Sequence, residues 1–409
     1  MSHASIRPAF LACLVAAFAA GGYWSLRLAW ADWLSRSGDP AAVARAVDLS
    51  ADNADFRIRL AYVLDREGDD PGPALVTASI LNPRDAGVWM RLGMNAEMHG
   101  DYAAAERYLL AAVQVSRRFE PRWTLANFYF RRRDEHRFWP WIRESLLVGN
   151  NDLTPVFTLC WAMRPDAALI LGQAIPDRRP VLNAYLWFLL RQRRIEGSTP
   201  VARRLAAVST AEDRAVLVAW SDQALAWGDP AAAMEIWNAL CARRILPYPP
   251  LDPGRGLLLT DGSFQTEPAG GGFGWRLEPV TGINSGRSAT ARYLWFSLSG
   301  IQPARCEPLS QYVPVVPGRH YRLSFRYRTS DLPKDSGLSW QVLDARSGAS
   351  LVSRSPALSS PVWKDDEVLF AAPLESRLAR VVFTYRQDPG ALSTEGSALL
   401  SGLRLEQLP

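Results

Sequence analysis

The sequence predicts an α + β multidomain chain: an N-terminal membrane helix, an α-solenoid and a C-terminal antiparallel β-sandwich. Three observations carry this expectation. An uncharged apolar run occupies residues 8–26, and helix-punctuating pairs recur every 30 to 33 residues through the middle of the chain. After a Pro/Gly-rich stretch at 247–256, short alternating segments replace the helical pattern. The predicted segments are 1–29 (signal anchor or signal peptide), 30–246 (solenoid), 247–256 (linker) and 257–409 (sandwich).

Composition narrows the function classes. With 48% apolar and 21% charged residues in a chain of 409, the protein can bury cores in more than one domain and is not disordered. A net charge of +5 is too small to point to nucleic acid. The basic residues are arginines except Lys334 and Lys364, a bias more simply read as genome composition than as anion binding. Cys13, Cys160, Cys241 and Cys306 lie far apart, and His3, His99, His136 and His320 are equally scattered. Neither set has the spacing of a metal site or a disulfide framework, so no metal and no cofactor are expected.

The apolar run "PAFLACLVAAFAAGGYWSL" approaches the ~18–20 residues that cross a bilayer as a helix. A secretory signal peptide is the rival reading, with Ala17-Phe18-Ala19 as a small-x-small cleavage site. The retained anchor is preferred because "WSLRLAWADWL" carries the helical pattern straight onward. Arg7 ahead of the run favours a cytoplasmic N-terminus. Either way the bulk of the chain is expected outside the cytoplasm, as a single-pass protein of a bacterial inner membrane facing the periplasm.

The recurring pairs are Gly38-Asp39, Gly68-Asp69, Gly100-Asp101, Arg133-Asp134, Pro165-Asp166, Gly197-Ser198 and Gly228-Asp229. Glycine can end one helix in a left-handed conformation, and an Asp or Ser after it can cap the next. In "AGVWMRLGMNAEMHGDYAAAERYLLAAVQVSRRFEP", Trp89, Leu92, Gly93, Gly100, Tyr102, Ala105, Leu109 and Ala112 fall where the tetratricopeptide (TPR) family places its packing residues. The chain resembles that family over about residues 30–245, with weaker copies on either side and degenerate ones after Asp134. Trp139-Pro140-Trp141 is expected to interrupt a helix there. The resemblance implies a TPR-like α-solenoid in which these side chains are core and a concave groove takes a protein partner. The groove residues are not identified, and the aromatics between Trp123 and Trp141 read mostly as packing.

After 256, "RYLWFSLSG", "HYRLSFRYRTS", "LSWQVLD", "EVLFAAP" and "ARVVFTYRQ" alternate with a period of two between turn residues. Tyr321, Leu323, Phe325 and Tyr327 share one face, with Arg322, Arg326 and Arg328 on the other; Arg380 and Arg386 are likewise outward in the later strand. One sheet with an arginine-rich outer face is expected, its guanidiniums suited to the carboxylates of an anionic polysaccharide. Asp365-Asp366-Glu367 reads as a solvated turn.

This region resembles carbohydrate-binding modules of the galactose-binding-like, jelly-roll type. The resemblance lies in Asp261-Gly262-Ser263-Phe264-Gln265 followed by Gly274-Trp275, in "QYVPVVPGRHYRLSF", and loosely in "ALLSGLRLE". The family's calcium carboxylates are replaced by Gln265 and Ser401-Gly402, so no calcium is expected. Sugar-stacking candidates are Trp295, Trp340, Trp363 and Tyr312.

Together these readings predict a non-catalytic, membrane-anchored scaffold. The solenoid would bind a protein and the sandwich a glycan, in assembly or export of a bacterial surface polysaccharide. One alternative is a pure protein-interaction adaptor without a sugar ligand. A more remote one is a glycoside-active enzyme, which needs a placed pair of carboxylates.

Overall fold

The computed structural model describes residues 6–149, 152–195, 197–288, 290–352, 355–387 and 393–409. Met1–Ser5 and the side chain of Arg7, which bear on the expected orientation of the anchor, lie outside the described residues. Two compact units divide the chain at Pro176/Asp177.

The first unit is helical: α1 (Ile6–Ser35), α2 (Pro40–Leu49), α3 (Ala54–Glu67), α4 (Gly72–Leu81), α5 (Ala86–Met98), α6 (Tyr102–Val115), α7 (Phe119–Arg131), α8 (Glu135–Val148), α9 (Thr154–Met163) and α10 (Ala167–Gln173). Helices α1 to α8 pack as consecutive pairs, α1 on α2 through α7 on α8. In α5 and α6 the reason is visible in single atoms. Gly93 sits so close to α6 that a Cβ on it would lie 2.6 Å from Leu109 Cγ, and Ala105, Leu109 and Ala112 are fully buried there. Tyr102, expected in the core, is 41% exposed and lies under the Arg132 guanidinium instead.

The α8 helix runs unbroken through Pro140, contrary to the interruption expected at Trp139-Pro140-Trp141. A proline inside a helix loses one backbone hydrogen bond and costs about 3 kcal/mol. Burial of Phe138, Trp139 and Ile142 on the same helix offsets that cost.

The second unit starts with α11 (Arg179–Arg191), α12 (Ser198–Val208), α13 (Arg214–Ala226) and α14 (Pro230–Ala242). Its strands are β1 (Arg276–Leu277), β2 (Ile283–Ser288), β3 (Tyr293–Ser299), β4 (Arg305–Pro314), β5 (His320–Ser330), β6 (Leu338–Asp344), β7 (Lys364–Ala371), β8 (Leu378–Arg386) and β9 (Glu395–Gln407). They form two antiparallel sheets, ordered β1-β4-β8-β6 and β2-β3-β9-β5-β7. Residues from both sheets share one core, with Phe296, Tyr321, Tyr327, Trp340, Phe383 and Tyr385 almost wholly buried.

Six helix ends across the two units share one geometry. A residue with φ near +53 to +86° donates its N–H three residues back, and the next N–H reaches five back. Gly68, Gly100 and Gly228 fill this left-handed position in three cases; Arg133, Arg193 and Arg244 fill it in the others. Asp39, Asp101, Asp134, Asp166 and Asp229 cap the helices that follow, each satisfying backbone N–H groups that the helix leaves open. Asp69 does not cap: α4 begins after Pro71 with no side-chain cap.

The segment 247–277 is fixed between α14 and the strands. Asn238 both donates to Leu251 O (2.8 Å) and accepts from Leu251 N (2.7 Å). Gly271 and Gly272 lie against Val218 and Trp237, where a Cβ on Gly272 would come within 2.8 Å of the indole. Phe264 and Trp275 then enter the sandwich core. Gly262 accepts from Leu403 N at 2.8 Å, an approach that leaves no room for a side chain.

Candidate functional site

The alternation in β5 places Tyr321, Leu323, Phe325 and Tyr327 in the core and turns Arg322, Arg326 and Arg328 outward. On that outer face of the five-stranded sheet, register sets Gly286 of β2 beside Trp295 of β3, Trp295 beside Leu399 of β9, and Leu399 beside Arg328. The next row carries Tyr293, Ser401, Arg326 and Asp365. The Trp295 indole lies flat over Gly286, where a Cβ would be 2.8 Å from the ring.

Trp363, just before β7, reaches back across β5. The Arg326 and Arg328 guanidiniums lie 5.5 and 5.9 Å from its ring centre, and the Tyr293 ring is 6.2 Å away. Three half-buried aromatics and two guanidiniums thus share one patch. Arg322 pairs with Glu367 at 3.2 Å and Arg326 more loosely with Asp365 at 3.8 Å. Arg328 forms no ion pair among the described residues, so its charge is available to a ligand.

The five arginines singled out in the sequence are not brought onto one sheet. Arg380 and Arg386 belong to β8 in the other sheet. Arg380 is engaged there by Glu307 at 2.8 Å and Ser310 at 3.3 Å, and Arg386 sits opposite Arg305. Of the stacking candidates, Trp340 is fully buried against Phe325 and Phe383, and Tyr312 lies beneath Arg276 on the four-stranded sheet. Tyr293 was missed; its only signal is its place in step with Trp295 along β3.

The acidic run Asp365-Asp366-Glu367 lies within β7 and not in a turn. Its carboxylates face Arg326, Lys364 and Arg322 respectively. At the domain entry, Asp261 accepts from Gln265 N, Thr266 N and Thr266 Oγ1 at 2.7–2.9 Å. Those bonds hold the loop. Among the described residues no three His, Cys, Asp or Glu side chains gather as a metal site. Burial pushes the Cys160 thiol upward and that of Cys241 to about 12, so neither is a nucleophile near neutral pH.

In the first unit, α3 and α5 form a groove. Tyr62, Met94 and Met98 are 57%, 43% and 71% exposed, and the cavity lined by Tyr62, Arg91 and Asn95 has a volume of about 200 Å³. It adjoins a second hollow that shares Tyr62 and Arg91 and extends to Arg59 and Arg66. Arg91 lies 5.9 Å from the Tyr62 ring and makes no ion pair among the described residues. Behind Asn95, hydrogen bonds from Gly72 N and the Asn95 amide hold the Asp70 carboxyl below the usual range. The aromatic cluster farther on offers no comparable surface, because Phe128, Tyr129, Phe138 and Trp139 are core.

Fold and sites therefore define a chain of paired helices that carries an antiparallel β-sandwich. Among solved structures, a CBM4 structure is similar to it at 11% identity, over 36% of this chain and 98% of that one, with a TM-score of 0.28. So is pilF of Pseudomonas aeruginosa, at 15% identity over 56% of this chain and 91% of that one, with a TM-score of 0.26. YrrB, a TPR protein with an unusual peptide-binding site, is similar at 10% identity, over 52% and 94%, with a TM-score of 0.25. Both kinds of protein that the sequence resembles are thus among its structural neighbours; values this low concern parts of the fold and carry nothing about activity. No protein-family model and no curated protein matches the sequence.

Proposed function

We propose that the protein is a non-catalytic scaffold, anchored in a bacterial inner membrane by α1 with its bulk in the periplasm. The α3–α5 groove holds a protein segment, and the outer face of the five-stranded sheet binds a glycan during assembly or export of a surface polysaccharide. The observation that carries the glycan reading is the patch of Tyr293, Trp295 and Trp363 with Arg326 and Arg328 beside it. Flat aromatic faces suit the C–H faces of sugar rings, and an unpaired guanidinium suits a carboxylate substituent. Membrane anchoring draws support from the apolar stretch of α1, where residues 10–26 are all exposed.

The adaptor reading is favoured by one feature: Arg322 and Arg326 already face carboxylates of β7. Binding of the full-length chain, in detergent, to arrays of neutral and acidic glycans separates the two. Retention on acidic glycans that disappears in Trp363→Ala and Arg328→Ala supports the scaffold with a sugar ligand. Absence of retention at high protein concentration leaves the adaptor.

A further inference from the structure

The α1 helix does two jobs along its length. Its last turns pack into the first helix pair, where Ala31 and Leu34 are buried with Ala46, Val47 and Phe56. The adjoining side of the same turns, about a quarter turn round the helix, carries Trp30 and Trp33, 56% and 64% exposed, their rings stacked 5.0 Å apart. Tyr23 and Leu26 precede them at helical spacing and are 62% and 74% exposed. A single apolar stripe, Tyr23–Leu26–Trp30–Trp33, therefore continues without a break from the uncharged run onto the outside of the first helix pair. Polar groups keep to the rest of the surface: Asp32 pairs with Arg36 at 2.7 Å, and Arg59 donates to Ser35 at 2.7 Å.

We propose that this stripe seats the first helix pair in the headgroup layer of the bilayer, an inference that rests on reading α1 as a membrane span. At 1.5 Å per residue, Trp30 and Trp33 lie about 6 and 10 Å beyond Leu26. The headgroup layer is about 5–8 Å deep on each side. Trp30 falls inside it directly, and a tilt toward the stripe, within the 0–40° usual for such helices, lowers Trp33 into it as well. Tryptophan favours this layer because its apolar body and N–H are both satisfied there. Two stacked indoles left in water are a poor alternative. Because Ala31 and Leu34 fix the same turns to α2 and α3, the groove at Tyr62 would stand at a set height and orientation above the membrane.

The test uses the full chain labelled with 5-fluorotryptophan and placed in lipid nanodiscs, with the two signals assigned by their loss in Trp30→Phe and Trp33→Phe. The expected result is strong broadening of both signals by lipids spin-labelled near the headgroup and little effect from a water-soluble gadolinium chelate. Broadening by the chelate alone, in chains that stay in the discs, overturns the inference while leaving the anchor intact. Protection from both agents in discs that hold two copies overturns it in favour of a self-association surface. Chains that fail to remain with lipid at all overturn the anchor and the inference together.

Discussion

Asp222, on α13, accepts hydrogen bonds from the Arg276 guanidinium at the start of β1 and from Gly272 N. Arg276 also donates to Gly272 O at 2.8 Å and lies 4.7 Å above the Tyr312 ring. Trp237 of α14 meets Phe273 and Tyr248 at 6.0 Å each. The last helix pair and the sandwich are thereby joined by a charged clasp over an aromatic contact, with the Arg276 side chain only 11% exposed. Removing Asp222 strands a nearly buried guanidinium, whereas removing Arg276 leaves a carboxylate that is 43% exposed and loses its bonds to that guanidinium. Asp222→Ala and Arg276→Ala should each destabilise this unit, with a double-mutant coupling of about 1–3 kcal/mol. Denaturant unfolding followed by near-UV dichroism checks it; additive single effects would show the clasp to be idle.

Gly93 makes a sharper packing prediction. Alanine there gains about 1 kcal/mol of helix propensity but drives its Cβ to 2.6 Å from Leu109 Cγ. Overpacking of a closed helix crossing costs about 1–3 kcal/mol. The net expectation is a lower melting temperature for Gly93→Ala. Gly93→Ala combined with Leu109→Ala should recover little, because the lost leucine leaves a cavity of its own.

The arginines in left-handed conformation predict the reverse. Arg133 has φ 56°, a region that costs a residue with a Cβ about 1–2 kcal/mol, while the bonds from Arg133 N to Phe130 O and from Asp134 N to Tyr129 O match those from Gly100 N and Asp101 N. Arg133→Gly should raise stability by about 0.5–1 kcal/mol, the gain reduced by the greater freedom of glycine in the unfolded chain. Gly100→Arg should lower it by a similar amount. Thermal unfolding of the two variants reads both signs.

These positions also show what the sequence made legible. The punctuation by Gly100-Asp101 and Gly228-Asp229 was readable because both residues act on backbone groups next to them. The alternation of β5 was readable for the same local reason. The grouping of the arginines was not, because β5 pairs with β7 and β9 while β8 pairs with β4 and β6. Sheet membership is decided by contacts between distant segments, and no period along one strand encodes it. Trp340 and Trp363 looked equivalent in sequence. One is core and the other lies across the outer face, a difference set by which sheet covers each. The groove at Tyr62 was missed because a lone exposed tyrosine and two methionines four residues apart on α5 have no meaning until α3 and α5 stand side by side.

The sandwich face allows a test with built-in controls. Trp363→Ala and Arg328→Ala should abolish acidic-glycan retention, because they remove the platform and the unpaired charge of one patch. Arg380→Ala and Arg386→Ala, on the other sheet, should leave it unchanged. Equal losses from the three arginine variants, with none from Trp363→Ala, would point to nonspecific attraction by net charge and remove the patch as a site.

Tyr129 predicts an alkaline transition in the first unit. Its phenol is almost wholly buried and donates to Glu106 at 2.8 Å, while Arg137 reaches the same carboxylate at 2.6 Å. Burial, then the bond to Glu106, pushes the phenol up to about 12 from its ordinary 10. Folding therefore favours the protonated phenol. That contribution is fully present below pH 10 and is lost as pH rises toward 12, where the unfolded chain ionises first. Tyr129→Phe should flatten stability against pH over this window, at the cost of one hydrogen bond, about 0.5–1.5 kcal/mol, at neutral pH. The difference in tyrosinate absorbance between the wild type and Tyr129→Phe during alkaline titration isolates this phenol among the chain's 12 tyrosines: a difference that develops near pH 10 in the folded chain would remove the buried Tyr129–Glu106 contact as the cause.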